Sequence, residues 1–223
     1  MKAFISHATI DREMALASKE VLARMGVESF VAHEDLLVSQ LWKARILEEL
    51  QSCDIFVCLL SNAFKKSKWC SQELGAVVQR GSVLIVPISL DSTKPYGFIA
   101  DLQGHRIQND ELPAQIMMDA VATRWPALVI DALIVGLDKA HSFRAAEGLM
   151  APLQRYFSQM TRGQATLFAE KSIGNGQIWS ANLCRSVYLP EFLRWNKRRL
   201  DTETRRALKY QIEHQSWYAS RNN

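Results

Sequence analysis

With 223 residues, the chain is long enough for one ordinary domain plus an appendage, or for two small domains. A hydrophobic fraction of 48% beside 22% charged residues excludes a disordered or low-complexity chain and predicts a buried core. The net charge of +4 is unevenly spread: residues 1–140 hold 14 Lys/Arg against 17 Asp/Glu, and residues 141–223 hold 13 against 6. The basic second part suits either an acidic partner, nucleic acid or protein, or a solvated Arg-rich helical surface.

The opening MKAFISHATID lacks the charged-then-apolar pattern of a leader. The longest apolar run, ALVIDALIVGL, is interrupted by Asp131 and falls short of the roughly 18–20 residues of a membrane span. Cys53, Cys58, Cys70 and Cys184 show no C-x-x-C spacing, and at least two stand in core-like runs. These features predict reduced thiols, a cytoplasmic location, no membrane partner and no metal site.

In chain order, Lys2–Ser6 (KAFIS) reads as a strand. Asp11 opens a helical spacing at Met14, Leu16, Ala17, Val21, Leu22 and Met25 that Gly26 ends. Glu28–Ala32 (ESFVA) reads as a strand, HEDLLVSQ as a connection and Leu41–Leu50 as a helix. Asp54–Leu60 and Val83–Leu90 are near-continuous apolar runs, the pattern of central strands covered on both faces. Between them SKWCSQELGAVVQ (Ser67–Gln79) predicts an amphipathic helix with Cys70, Leu74, Val77 and Val78 on its apolar face and Glu73 on the flank, one turn after Trp69. HRIQ suggests a short edge strand, and Glu111–Trp125 a helix. Strands alternating with helices at this spacing predict an α/β fold, a doubly wound parallel sheet.

From residue 127 the strand signals stop. Helical spacing runs over Ala127–Met160 with a break at Gly136 or Gly148. Thr161 and Gln164 form a capping box before a helix that Gly174-Asn-Gly176 ends. Further helices are expected over Gln177–Leu189, from Glu191 onward and over Thr202–Trp217. The expected organisation is an α/β domain over 1–126 and an all-α region of four or five helices over 127–223.

Four blocks, in order, resemble the Toll/interleukin-1 receptor (TIR) domain of bacteria, with its flavodoxin-like fold. FISHATID (Phe4–Asp11) is similar to the family's first-strand box. DLLVSQLW (Asp35–Trp42) is similar to its D-I-x-P-G-x-x-W loop, although Val38-Ser39 stands where Pro-Gly is usual. SCDIFVCLLS (Ser52–Ser61) is similar to S-D-x-x-I-x-x-L-S with one residue of slack, and SKWCSQEL (Ser67–Leu74) to S-x-W-C-x-x-E-L. The resemblance implies self-association through the TIR domain. In catalytic members it also implies cleavage of the nicotinamide–ribose bond of NAD+, giving nicotinamide and ADP-ribose or a cyclic isomer, with a role in antiphage immunity. The essential glutamate of W-x-x-x-E falls on Glu73.

The residues agree with that chemistry. Glycoside cleavage ordinarily takes two carboxylates, one of them to protonate the leaving oxygen. Nicotinamide in NAD+ is already a cationic pyridinium and leaves neutral, so a single carboxylate suffices as charge stabiliser, hydroxyl acceptor or transient nucleophile. Glu73 is therefore the expected catalytic residue. The expected substrate-binding set is Ser6 and His7 at the end of the first strand, Asp35 in the loop, Trp42 and Trp69 as ring-stacking faces, and Cys70. Each also has a plain structural reading as packing or as a loop polar group. The basic residues that some catalytic members carry after the first strand are absent, with Ala8 and Thr9 in their place, so phosphate contacts fall to backbone N–H groups or to Lys43 and Arg45. No G-x-G-x-x-G or G-K-[ST] occurs, which argues against a dehydrogenase or a P-loop enzyme. NAD+ enters as substrate and no cofactor is expected.

The helical region is expected to be regulatory, a sensor or an oligomerisation module. Arg198, Arg199, Arg205 and Arg206, with Trp195 among them, offer a place for a protein or nucleic-acid trigger. Two alternatives stay open: a non-catalytic TIR scaffold, and a nucleoside deoxyribosyltransferase-like enzyme that also applies a glutamate to ribose.

Overall fold

A computed structural model describes residues 1–32, 42–107 and 114–214. Asp35 and Val38-Ser39 lie outside the described residues. The chain separates into two compact units, Met1–Arg124 and Trp125–Asn223.

Among the described residues the first unit contains five strands, β1 (Lys2–Ser6), β2 (Glu28–Val31), β3 (Ile55–Leu60), β4 (Leu84–Ser89) and β5 (His105–Arg106). They lie in the order β2-β1-β3-β4-β5, and all four pairings are parallel. Its helices are α1 (Arg12–Arg24), α2 (Trp42–Ser52), α3 (Asn62–Lys66), α4 (Lys68–Arg80) and α5 (Ala114–Ala122). All six residues of β3 are buried, as a strand covered on both faces requires. Pleating sends alternate residues to opposite faces. Phe4, Phe56, Cys58 and Leu60 share one face with Phe30, and α2, α3 and α4 close over it with Ile46, Leu50, Phe64, Cys70, Leu74 and Val77. Phe4 stacks on Phe56 with centroids 5.7 Å apart.

α4 begins where Ser67 caps it, its hydroxyl accepting the Cys70 N–H at 3.3 Å, and stops at Gly81, whose φ of 63° suits glycine. α3, absent from the sequence reading, is held the same way: the Ser61 hydroxyl accepts the Phe64 N–H at 3.0 Å. Five residues are too few to show a periodicity.

The second unit contains α6 (Pro126–Gly136), α7 (Phe143–Gln154), α8 (Arg162–Gly174), α9 (Gly176–Ser180), α10 (Leu189–Asn196) and α11 (Thr202–His214). Phe157, Phe168 and Phe192 meet at its centre, with centroid separations of 4.2–5.5 Å. The capping box of Thr161 and Gln164 is present, and the Gln164 amide also donates to Asp131 at 2.7 Å, which gives that interrupting acid its partner. One expectation falls to the first of its two positions, and two are corrected. The break in Ala127–Met160 falls after Gly136, while Gly148 sits inside α7. Gln177–Leu189 is not one helix: α9 ends at Ser180, and a π-helical turn over Cys184–Tyr188 runs into α10. Six α-helices stand among the described residues where four or five were expected.

Candidate active site

In a parallel sheet of order 2-1-3-4-5 the connections leave β1 and β3 toward opposite faces, and the crevice beyond their carboxyl ends receives ligands. Ser6 and Ser61 stand at those two ends, and the N-terminal turn of α4 arrives beside them through α3. The loop after β1 is tied down by Asp11, whose carboxylate accepts the Ser61 hydroxyl at 2.6 Å. Burial pushes the Asp11 carboxyl up, opposed by that bond and by the charge of His7.

A cavity of about 480 Å³ opens there, inside the range of small-molecule sites. Glu73, His7, Cys70, Trp42 and Trp69 line it, with Ala8, Thr9, Ala32, Ile46 and Ser67. Five of the seven expected site residues thus share one cavity. Ser6 is fully buried and meets the site through Glu73, donating its hydroxyl to Oε2 at 2.5 Å.

Glu73 is not on the flank of α4. The buried stripe is Cys70, Glu73, Leu74 and Val77, with Val78 only half-buried, so the acid occupies a core position of the helix. At 5% exposure, burial pushes its carboxyl up to about 7 while the Ser6 hydrogen bond pulls the other way. The Cys70 thiol donates to the His7 carbonyl at 3.4 Å and is pushed up by burial, so it is neutral at ordinary pH.

Trp42 and Trp69 are 46% and 44% exposed and meet edge to face with centroids 4.4 Å apart. They form a rim and are not part of the core. Among the described lining residues Glu73 is the one carboxylate, and there is no Lys or Arg. Arg45, one of the groups offered for phosphate contact, is not in the lining of the Glu73 cavity: it pairs with Glu49 and Glu48 and borders a separate cavity beside β2. Lys43 does not line the Glu73 cavity. A buried acid walled by indoles, with no Lys or Arg among the described lining residues, favours a cationic, planar ligand.

Sequence reasoning missed two features. Ser6 has the strand parity of Phe4, so it faces α4, and that was readable from the alternation. The Asp11–Ser61 bond joins residues 50 apart and left no local sign.

The four cysteines are buried and form no disulfide. Among the described residues no helix is long and apolar enough to cross a membrane, and no group of three or more His, Cys, Asp or Glu is placed to hold a metal ion. No curated protein matches the chain. A family model described as "TIR domain" matches residues 3–117, and with the sheet order and the four blocks this places the chain in the TIR domain family.

Proposed function

We propose that the chain is an NAD+ glycohydrolase or cyclase that breaks the bond between the nicotinamide nitrogen and C1′ of ribose. The observation that carries this reading is the buried Glu73 in an indole-rimmed cavity with no Lys or Arg in its described lining. The bonding pair of the broken bond goes to the ring nitrogen, so nicotinamide leaves neutral and needs no proton. Positive charge moves to C1′, where the Glu73 carboxylate stabilises it until water attacks and gives up its proton to the carboxylate and on to solvent, or until the adenine of the same molecule attacks. Trp42 and Trp69 hold the nicotinamide ring at the rim, and His7 faces the ribose. Self-association through the TIR unit and a role in antiphage immunity follow the family resemblance.

The test is chromatography of NAD+ incubated with the protein. Nicotinamide should appear in equimolar amount with ADP-ribose or its cyclic isomer, and Glu73→Gln should lower kcat by about 10³-fold. Activity retained in Glu73→Gln sinks the mechanism, and a scaffold that only recruits partners would show no turnover in either protein. Because the carboxylate is the working form, kcat/KM should rise with pH and reach half its plateau near pH 7, the value to which burial raises Glu73. The bound pyridinium favours the anion, so the limb of kcat should lie at lower pH.

A further inference from the structure

We propose that Ser6 is a positioning residue for Glu73, its hydroxyl holding one carboxylate oxygen so that the other is presented to the cavity. The inference rests on Glu73 being the working group of the site. Ser6 ends β1 opposite Cys58 of β3, on the face that α4 covers, and its Oγ donates to Glu73 Oε2 at 2.5 Å. At 0% exposure the hydroxyl does not reach a ligand in the cavity, so its route to the chemistry runs through Glu73.

A glutamate side chain has three rotatable bonds, and a carboxylate among apolar neighbours gains by swinging toward water. A short bond from a hydroxyl to an ionised oxygen opposes that motion and favours the charged form. The other groups facing Glu73 do not supply this. Cys70, on the same helix, is a neutral thiol bonded to the His7 carbonyl. His7 lines the cavity from the end of β1, and among the described residues no Lys or Arg lines it. Burial raises the Glu73 carboxyl and the Ser6 bond is the one influence lowering it.

The experiment follows the Glu73 side-chain carboxyl carbon by ¹³C NMR between pH 5 and 10 in the full chain, for wild type, Ser6→Ala and Ser6→Thr. NAD+ turnover is measured on the same samples. Ser6→Ala should raise the midpoint by about one pH unit, the effect of losing one hydrogen bond to a charged group, and Ser6→Thr should restore it. The acid limb of kcat/KM should move with it, and kcat at the plateau should fall about tenfold while KM changes less than about twofold. An unmoved midpoint in Ser6→Ala overturns the proposal. So does a raised KM at unchanged kcat, which makes Ser6 a substrate contact, or an equal loss in both variants, which makes packing the cause. The titration needs no turnover. If wild type fails to cleave NAD+, the enzymatic reading falls, and the midpoints alone still decide whether Ser6 controls Glu73.

Discussion

Asn196 in the helical unit and Glu73 in the TIR unit are both buried, at 0% and 5% exposure, yet their partners differ in kind. The Asn196 amide donates to the carbonyls of Phe157 and Phe192 at 2.8 and 3.2 Å, and its oxygen accepts from Arg199 at 3.2 Å. Gln164 likewise accepts the Thr161 N–H at 2.9 Å and donates to Ala127 and Asp131 at 3.2 and 2.7 Å. Those amides end on their own chain and hold helices in place. Glu73 is bonded to Ser6 through Oε2 and borders a cavity. Neutral amides can be buried cheaply when paired, whereas an ionisable acid buried with one hydroxyl partner weakens the fold in its charged form. Under the proposed function, that difference separates a structural polar group from a working one.

The largest effect on stability expected from this contrast is a gain. The folded-state value for Glu73, about 7, exceeds the ordinary 4.5, so folding takes up a proton between those pH values. Stability contributed by the neutral acid is full below pH 4.5 and is lost as pH rises through 7. Glu73→Gln, always neutral and still able to accept from Ser6, should therefore stabilise the protein by about 3 kcal/mol at pH 9 and by nearly nothing at pH 4. Scanning calorimetry at the two pH values reads it. An equal change at both would mean that Glu73 is as well satisfied as the amides, and the contrast would break.

Asn196→Ala should act in the opposite sense and without pH dependence. It strands the buried Phe157 carbonyl and should cost about 2 kcal/mol at pH 5 and pH 9 alike. A pH-dependent loss there would blur the line between the two units.

The parts legible in advance follow the same division. Apolar runs and alternation located β1 to β4, and caps and periodicity located α1, α2, α4 and α8, because those signals are local. The W-x-x-x-E pattern singled out Glu73, but the stripe 70/74/77/78 put it on the flank, since an acid is not expected at a core position and the cavity that makes room for it comes from other elements. Gly148 was a candidate break. It lies inside α7 without a positive φ, whereas Gly26 and Gly81, with φ of 71° and 63°, end α1 and α4. The π turn at Cys184–Tyr188 depends on how α7, α9 and α10 pack around it, and spacing carries no trace of that. Trp42 and Trp69 were each named as ring faces; that they meet edge to face depends on α2 and α4 lying side by side.

That contact sets up the smallest of the expected effects. Each indole is nearly half exposed, so removing one should hardly alter stability, unlike a change at Glu73 or Asn196. An edge-to-face pair contributes about 0.5–1.5 kcal/mol, and a ring facing a bound pyridinium contributes a comparable amount. Trp42→Ala and Trp69→Ala should therefore each raise KM for NAD+ about tenfold, with kcat changed less than about threefold. The double variant should lose less than the product of the two, because each ring props the other at the rim. Initial-rate kinetics at pH 8 separates the outcomes. A KM left unchanged by both substitutions would show that the rings merely pack on one another, and the proposed hold on the pyridinium would then rest on Glu73 alone.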